Sequence, residues 1–410
     1  MNTNPYRMNR KSSISRVLLF LLILAGSSSD LFAQPVPISL EEALTLARDH
    51  YAGIERDQLS VQQQRELAAS GYIPQPTQIY FSGDEFLPGS QWGVQALNLQ
   101  QNFYLPKVSK VQRKYYERGA FVAEKQLSLT EQQVIRDVTL AYQRVQYAIE
   151  ALDLATENSA LYQSFLELAT ALLASGETGK IPQMSARTRL GQARLEERHA
   201  EEQYQIALDQ LNQWLPPGNR YEVEGTLSAN PEPRVDTSLQ GSPHLEIIRA
   251  REELARAQVA TQEAKLLPQI NSRLSLQDAF GTFPLFGYQI GVNVPLFRKS
   301  YDQRIEAAKV GVEIQKASLK NERQDIRRVT AELVARIAHQ REVLEYLQQE
   351  LQPLVEEQGA TSLAAFREGE TTYLEYLDSL EQIIRVKEQV LEGIYDLNAL
   401  QVALNYWLGQ

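Results

Sequence analysis

The chain has no cysteine among its 410 residues. That excludes disulfides, thiolate metal sites, a nucleophilic thiol and a lipid-modified N-terminal cysteine. Its four histidines, His50, His199, His244 and His339, are scattered and make no HExxH or paired ligand spacing. Three methionines are too few for a thioether relay. There is no glycine-rich phosphate loop and no GxSxG elbow. Neither an enzyme nor a metal or cofactor centre is expected. Beyond the first 33 residues no apolar run approaches the roughly 18 residues of a membrane-spanning helix.

The N-terminus reads as a secretion signal. Arg7, Arg10, Lys11 and Arg16 precede an apolar core from Val17 to Ala25, then small residues at Ser27 to Ser29. Leu31-Phe32-Ala33 before Gln34 is an acceptable cleavage site. Residues 1–33 are therefore expected to be a signal peptide. Without them 37 basic and 50 acidic residues remain, a net charge of −13. Nucleic-acid binding wants a basic face, so it is not expected. A secreted chain with no spanning helix can cross a membrane only as a closed β-barrel.

What is present is a repeat. Gly176-Glu177-Thr178 recurs as Gly369-Glu370-Thr371, an offset of 193. Leu211-Asn212-Gln213-Trp214-Leu215 recurs as Leu404-Asn405-Tyr406-Trp407-Leu408 at the same offset. Ile73-Pro74-Gln75 recurs as Leu267-Pro268-Gln269 at 194. Matches at one spacing spread along the chain mark a duplicated unit. Residues 34–215 form the first copy and 242–410 the second. Between them, residues 216–241 carry Pro216-Pro217-Gly218, Asn230-Pro231 and Gly241, which reads as a linker or small irregular region.

Each unit has one plan: helix, two strands, two long helices. Ser39 and Glu42 form a capping box at the first opening helix. Ser242-Pro243 is expected to do the same at the second, with proline at the first helical position. Proline is absent from Lys107 to Ile181, Gln183 to Leu215, Lys299 to Gln352 and Leu354 to the end. A helix from Lys107 to Ser175 would be about 100 Å long. Val134, Val138, Ala141, Val145, Ala148, Leu152 and Ala155 make a heptad seam of mostly small residues. The phase is expected to slip there and resume at Leu161, Phe165, Leu168 and Leu172. Ile383, Val390, Ile394, Leu397, Leu404 and Leu408 form a seam in the last helix.

After each Pro-Gln the period switches to two. Strands are expected at about 76–84 and 91–104, and at about 269–279 and 286–297. Ile270, Leu274 and Leu276 alternate with Asn271, Arg273, Ser275 and Gln277. Tyr288, Ile290, Val292, Val294 and Leu296 alternate with Gln289, Gly291 and Asn293. Strands of about 9–11 residues suffice to cross a bilayer when tilted. Four strands cannot close a transmembrane barrel, since the smallest have about eight. If these strands lie in lipid, copies of the chain must close the barrel.

These features resemble the TolC family of outer-membrane factors over essentially the whole chain after the signal. Ile38-Ser39-Leu40-Glu41-Glu42-Ala43-Leu44 is similar to the family's opening helix motif. Leu267-Pro268-Gln269 resembles its lead-in to a membrane strand, and Val294-Pro295-Leu296-Phe297 its exit from the fourth strand. The stretch from Phe366 to Asp378 resembles the turn between its last two helices. The resemblance implies a mostly α fold with a transmembrane β part. It implies a homotrimer whose twelve-stranded barrel, four strands from each chain, sits in outer-membrane lipid above a periplasmic α-helical coiled-coil tunnel. Residues 216–241 and the C-terminal end would form a small equatorial region. A periplasmic adaptor would dock on the tips, Gly176, Glu177 and Thr178 with Gly369, Glu370 and Thr371. The inner-membrane pump is expected to be of the resistance–nodulation–division (RND) type. Aligning on Gly369 places the family's acidic entrance ring at Glu375 and Asp378; Pro182 stands at such a position in the first unit. Leu99 to Pro106 resembles heavy-metal (Cus/Czc-type) cation efflux components, so metal cations are the expected cargo, with drug efflux or type I secretion as the alternative.

Two other classes stay open. A periplasmic adaptor would carry one helical hairpin between β-rich halves. A structural coiled coil would lack amphipathic strands.

Overall fold

The structure is a computed structural model that describes residues 36–71, 74–87, 91–232, 239 and 241–409. The expected signal peptide lies outside the described residues. The first unit comprises β1 (Val36–Ile38), α1 (Leu40–His50), α2 (Ala52–Ser70), β2 (Gln78–Leu87), β3 (Gln91–Tyr104), α3 (Pro106–Ala174) and α4 (Lys180–Asn212). Next come β4 (Tyr221–Val223), α5 (Pro243–Ala264), β5 (Gln269–Ala279) and β6 (Thr282–Asn293). The chain ends with α6 (Lys299–Tyr346), a π-helical turn (Leu347–Leu351), α7 (Gln352–Glu368) and α8 (Tyr373–Leu408).

Local signals account for many of these boundaries. Ser39 and Glu42 make the full capping box at α1. Pro106 opens α3, where its missing N–H costs nothing. That helix has 69 residues, about 100 Å of rise. Pro353 would break the helix leading into α7 by removing one hydrogen bond and clashing with the preceding turn. The chain widens to a π turn just before it and continues. Opening at Ser242 works differently from Ser39. The Ser242 hydroxyl donates to the Trp407 carbonyl at 3.0 Å and does not cap its own helix. Its hydrogen bond is spent on holding the end of α8 against the start of α5.

Two cores lie at mid-height. In one, Val134, Val138, Val145 and Ala148 of α3 pack on Ala43 and Ala47 of α1 and on Ala207, Leu208 and Leu211 of α4. The parallel pair β1 and β4 closes this core, and the Tyr142 hydroxyl sits 3.0 and 2.8 Å from the carbonyls of Ile38 and Glu224. In the other, Ile326, Leu333, Ile337 and Leu344 of α6 meet Leu397, Leu404 and Leu408 of α8. Buried Asn398 holds the linker through Asn230 N–H (2.8 Å) and the Ser228 carbonyl (2.8 Å). Further along α3 the buried stripe is Asn158, Tyr162, Phe165 and Ala169. Of the set expected after the phase slip only Phe165 is fully buried. Two neighbours, α4 and α8, press on this part of α3, and their approach selects the face.

The four strands form one antiparallel sheet in the order β2-β3-β5-β6. The fourth strand is Thr282–Asn293 rather than 286–297. Phe280 and Gly281, both at positive φ, make a tight turn that pairs Ala279 directly with Thr282. At the other end Pro295 has no N–H to extend the ladder. The first strand likewise runs Gln78–Leu87, displaced from 76–84.

Leu404 is fully buried where α6 meets α8. Leu404→Ala should lower stability by about 2–5 kcal/mol. Exposed Glu345→Ala should change it by less than about 0.5 kcal/mol. Thermal unfolding followed by circular dichroism checks the difference.

Candidate functional site

The two helical turns have one backbone geometry. Gly176 and Gly369 adopt φ of 81° and 75°, which only glycine takes without strain. The Gly176 and Gly369 N–H groups reach the Leu173 and Phe366 carbonyls, both at 3.2 Å. Those of Glu177 and Glu370 reach Leu172 and Ala365 at 3.0 and 2.9 Å. Every pair is separated by the same 193 residues as the sequence repeat. These bonds close the orphan carbonyls of α3 and α7 as a left-handed cap does.

Beyond the glycine the turns diverge. At α8, Thr372 caps the helix and Glu375 returns the bond. The Thr372 N–H and hydroxyl lie 2.8 and 3.0 Å from Glu375 Oε2, and Thr371 Oγ1 donates to the same oxygen. These donors, Thr371 first, hold the Glu375 carboxyl below its ordinary value. Asp378 is exposed one turn on and accepts from Gln382 Nε2 at 2.9 Å. At α4 the equivalent positions are Gly179 and Pro182, which offer neither a hydroxyl nor a carboxylate, and no side-chain cap forms. Both acidic residues of the expected ring are thus exposed at the start of α8, three residues apart and close to one helix face.

The two hairpins are locked side by side near their tips. Phe165 of α3 lies 5.0 Å from Tyr373 and 5.6 Å from Tyr376, and Phe366 stacks on Tyr376 at 5.5 Å. Arg189 of α4 pairs with Glu381 of α8 at 2.8 Å. Burial against Leu190, Ala193 and Leu377 pushes the Tyr162 phenol up to about 12. Ile181 and Leu374 stand exposed at equivalent positions, 78% and 68%, just after each turn. Sequence reasoning passed over this aromatic cluster and these two apolar residues. Their signal was available: Phe366, Tyr373 and Tyr376 lie within about two turns of Gly369, and the apolar pair recurs at the repeat offset.

The sheet has two chemically distinct faces in register. Ile79, Leu99, Leu274 and Tyr288 align across the four strands, and Phe81, Leu97, Leu276 and Phe286 align beside them. This apolar face stands open in the single chain, with Phe286 and Tyr288 each 83% exposed. Across the other face run polar bonds: Asn98 Nδ2 to Ser82 Oγ at 2.9 Å, Arg273 Nη1 to Tyr80 Oη at 3.1 Å and Asn271 Nδ2 to Asn293 Oδ1 at 2.7 Å. Gly287 and Gly291 leave room for this layer, because a Cβ at Gly291 would sit 2.6 Å from Asn271 Oδ1. Among the described residues no helix is long and apolar enough to cross a membrane, and no cluster of three metal-ligating side chains occurs.

Residues 235–410 match the family model of outer membrane efflux proteins. That span contains the second unit, with β5, β6 and the α7–α8 turn. Three solved structures share the fold. CusC matches with a TM-score of 0.75 and 17% identity, over 90% of this chain and 91% of its own. The CmeC outer membrane channel of Campylobacter jejuni matches with 0.74 and 12%, over 90% and 85%. The MtrE outer membrane channel of Neisseria gonorrhoeae matches with 0.72 and 16%, over 90% and 88%. At these identities the likeness is one of fold. No curated protein sequence matches the chain.

The Glu375 cap carries a pH dependence with a definite sign. Its folded pKa is lowered, so its contribution is complete above the ordinary value near 4.5 and is lost as pH falls through the lowered one. The protection factors of the amides in the first turn of α8, taken relative to the intrinsic exchange rate at each pH, should therefore fall below about pH 4.5. In Glu375→Gln, which cannot titrate, that fall should vanish. Hydrogen–deuterium exchange across the pH series reads both.

Proposed function

We propose that this protein is the outer-membrane exit duct of a tripartite efflux system, a passive conduit rather than an enzyme. The observation that carries the reading is the sheet. Among the described residues it has an apolar face open in the single chain, a hydrogen-bonded polar face opposite, and unpaired edges at β2 and β6. In lipid those edges would leave backbone groups unsatisfied. A homotrimer would close them into a twelve-stranded barrel in outer-membrane lipid, with the polar faces lining a water-filled pore. The family match and the three related folds support this assignment.

In this reading residues 34–215 and 242–410 are the two units, 216–241 the equatorial linker, and the long helices the wall of a periplasmic tunnel. The tips, Gly176-Glu177-Thr178 and Gly369-Glu370-Thr371, receive a periplasmic adaptor. Exposed Ile181 and Leu374 supply apolar contact area beside each turn, as a protein interface wants. Glu375 and Asp378, repeated in three chains, form acidic rings at the entrance, which favour cations. An RND-type inner-membrane pump delivers the cargo. The resemblance of Leu99 to Pro106 to the heavy-metal branch favours metal cations, with drug efflux or type I secretion as the alternative.

Single-channel recording in planar bilayers tests the duct and its entrance together. The purified protein should conduct and prefer cations under a salt gradient. Glu375→Ala combined with Asp378→Ala should move the reversal potential toward anions. A protein that inserts yet never conducts would sink the duct. Conduction with an unchanged reversal potential would remove the acidic ring alone.

A further inference from the structure

The four strands hold very few charged residues, and their placement is uneven. They are Asp84 and Glu85 on β2 and Arg273 and Asp278 on β5. The three acids sit at the hairpin end of the sheet, where Asp84 pairs with Val94 and Asp278 with Gln95. Arg273 sits at the middle of β5, five residues or about 17 Å from Asp278. It lies on the polar face, level with Gln100 and Gln289.

Its partners there are all neutral. Nη1 donates to the Tyr80 hydroxyl at 3.1 Å, Nη2 donates to Gln289 Oε1, and the Tyr80 hydroxyl is 3.3 Å from Gln100 Oε1. Among the described residues Arg273 makes no ion pair. The guanidinium is held in a fixed position with no carboxylate beside it. Its planar fork of donors suits polyvalent oxyanions and other compact anions.

We propose that Arg273 and its copies form a cationic ring at mid-barrel that binds polyvalent anions. The inference rests on the trimeric barrel proposed above. Rings of Arg or Lys set anion preference in pores. The duct would then carry opposite signs at two levels: acidic at the helical entrance and basic at the middle of the barrel. A cationic cargo would cross that level against repulsion, whereas an anionic or complexed one would be held there.

The test is block of single-channel current by hexacyanoferrate(III), a trivalent anion, added to each side in turn at low ionic strength, where screening is weak. Wild-type channels should be blocked from one side. Arg273→Gln should raise the half-blocking concentration about tenfold or more, whereas Arg273→Lys, which keeps the charge, should stay within about threefold of wild type. Conducting trimers that hexacyanoferrate does not block, or block that survives Arg273→Gln unchanged, would overturn the cationic ring and leave the duct intact. A protein that forms no trimer and no conductance would overturn the duct and the ring with it.

Discussion

A β-sheet with free edges cannot sit in hydrocarbon, and the rest of this structure depends on that constraint. Each unpaired backbone group in lipid costs several kcal/mol, so strands cross membranes only in closed sheets. Here, among the described residues, four strands present an apolar face with no covering layer and stop at β2 and β6. A soluble protein would bury such a face against a helix or a second sheet. The long helices instead leave the sheet from its ends and pack on one another far below. The proposed trimer satisfies both demands at once. It pairs the edges between chains and gives the apolar face to lipid.

Duplication explains how one chain supplies both a wall and an entrance. Helix α3 and the α6–π–α7 run begin 193 residues apart, and so do α4 and α8. The two glycine turns are closed by the same backbone hydrogen bonds. After the turns the two copies cap their next helices differently. Thr372 and Glu375 cap α8 and leave a carboxylate at the tip, whereas Gly179 and Pro182 leave α4 without either. Phe165, Phe366, Tyr373 and Tyr376 then join the two tips into one body. The capping carboxylate is thus on one hairpin while packing is shared by both.

Signals carried within a few residues were legible in the sequence. The Ser39–Glu42 box, the proline at the head of α3, the glycine turns and the alternation along β5 each state a local preference that the fold keeps. Signals set by distant partners were not. The Ser242 hydroxyl turns to the Trp407 carbonyl, 165 residues away, so a cap inferred from position alone failed. The buried stripe of α3 after Ala155 is set by the approach of α4 and α8, which a single helix's periodicity does not contain. Thr282 joins the sheet because Phe280 and Gly281 turn tightly, a detail that alternation starting at Tyr288 did not show. The π turn before Pro353 and the break between α1 and α2 at Tyr51 are likewise tertiary choices. At the candidate site the acidic pair could be read from its spacing. The apolar pair Ile181 and Leu374 went unread although it recurs at the repeat offset, and Arg273, legible as part of the polar alternation, was set among its neutral partners only by the register of the sheet.

The central claim is that separate copies of this chain close the sheet in the outer membrane. The most direct measurement is to express the chain with its N-terminal segment, extract the outer-membrane fraction in detergent and weigh the complex by light scattering. The account predicts a protein mass of three chains, found in that fraction. A soluble periplasmic monomer or dimer would contradict it and return the strands to ordinary hairpins.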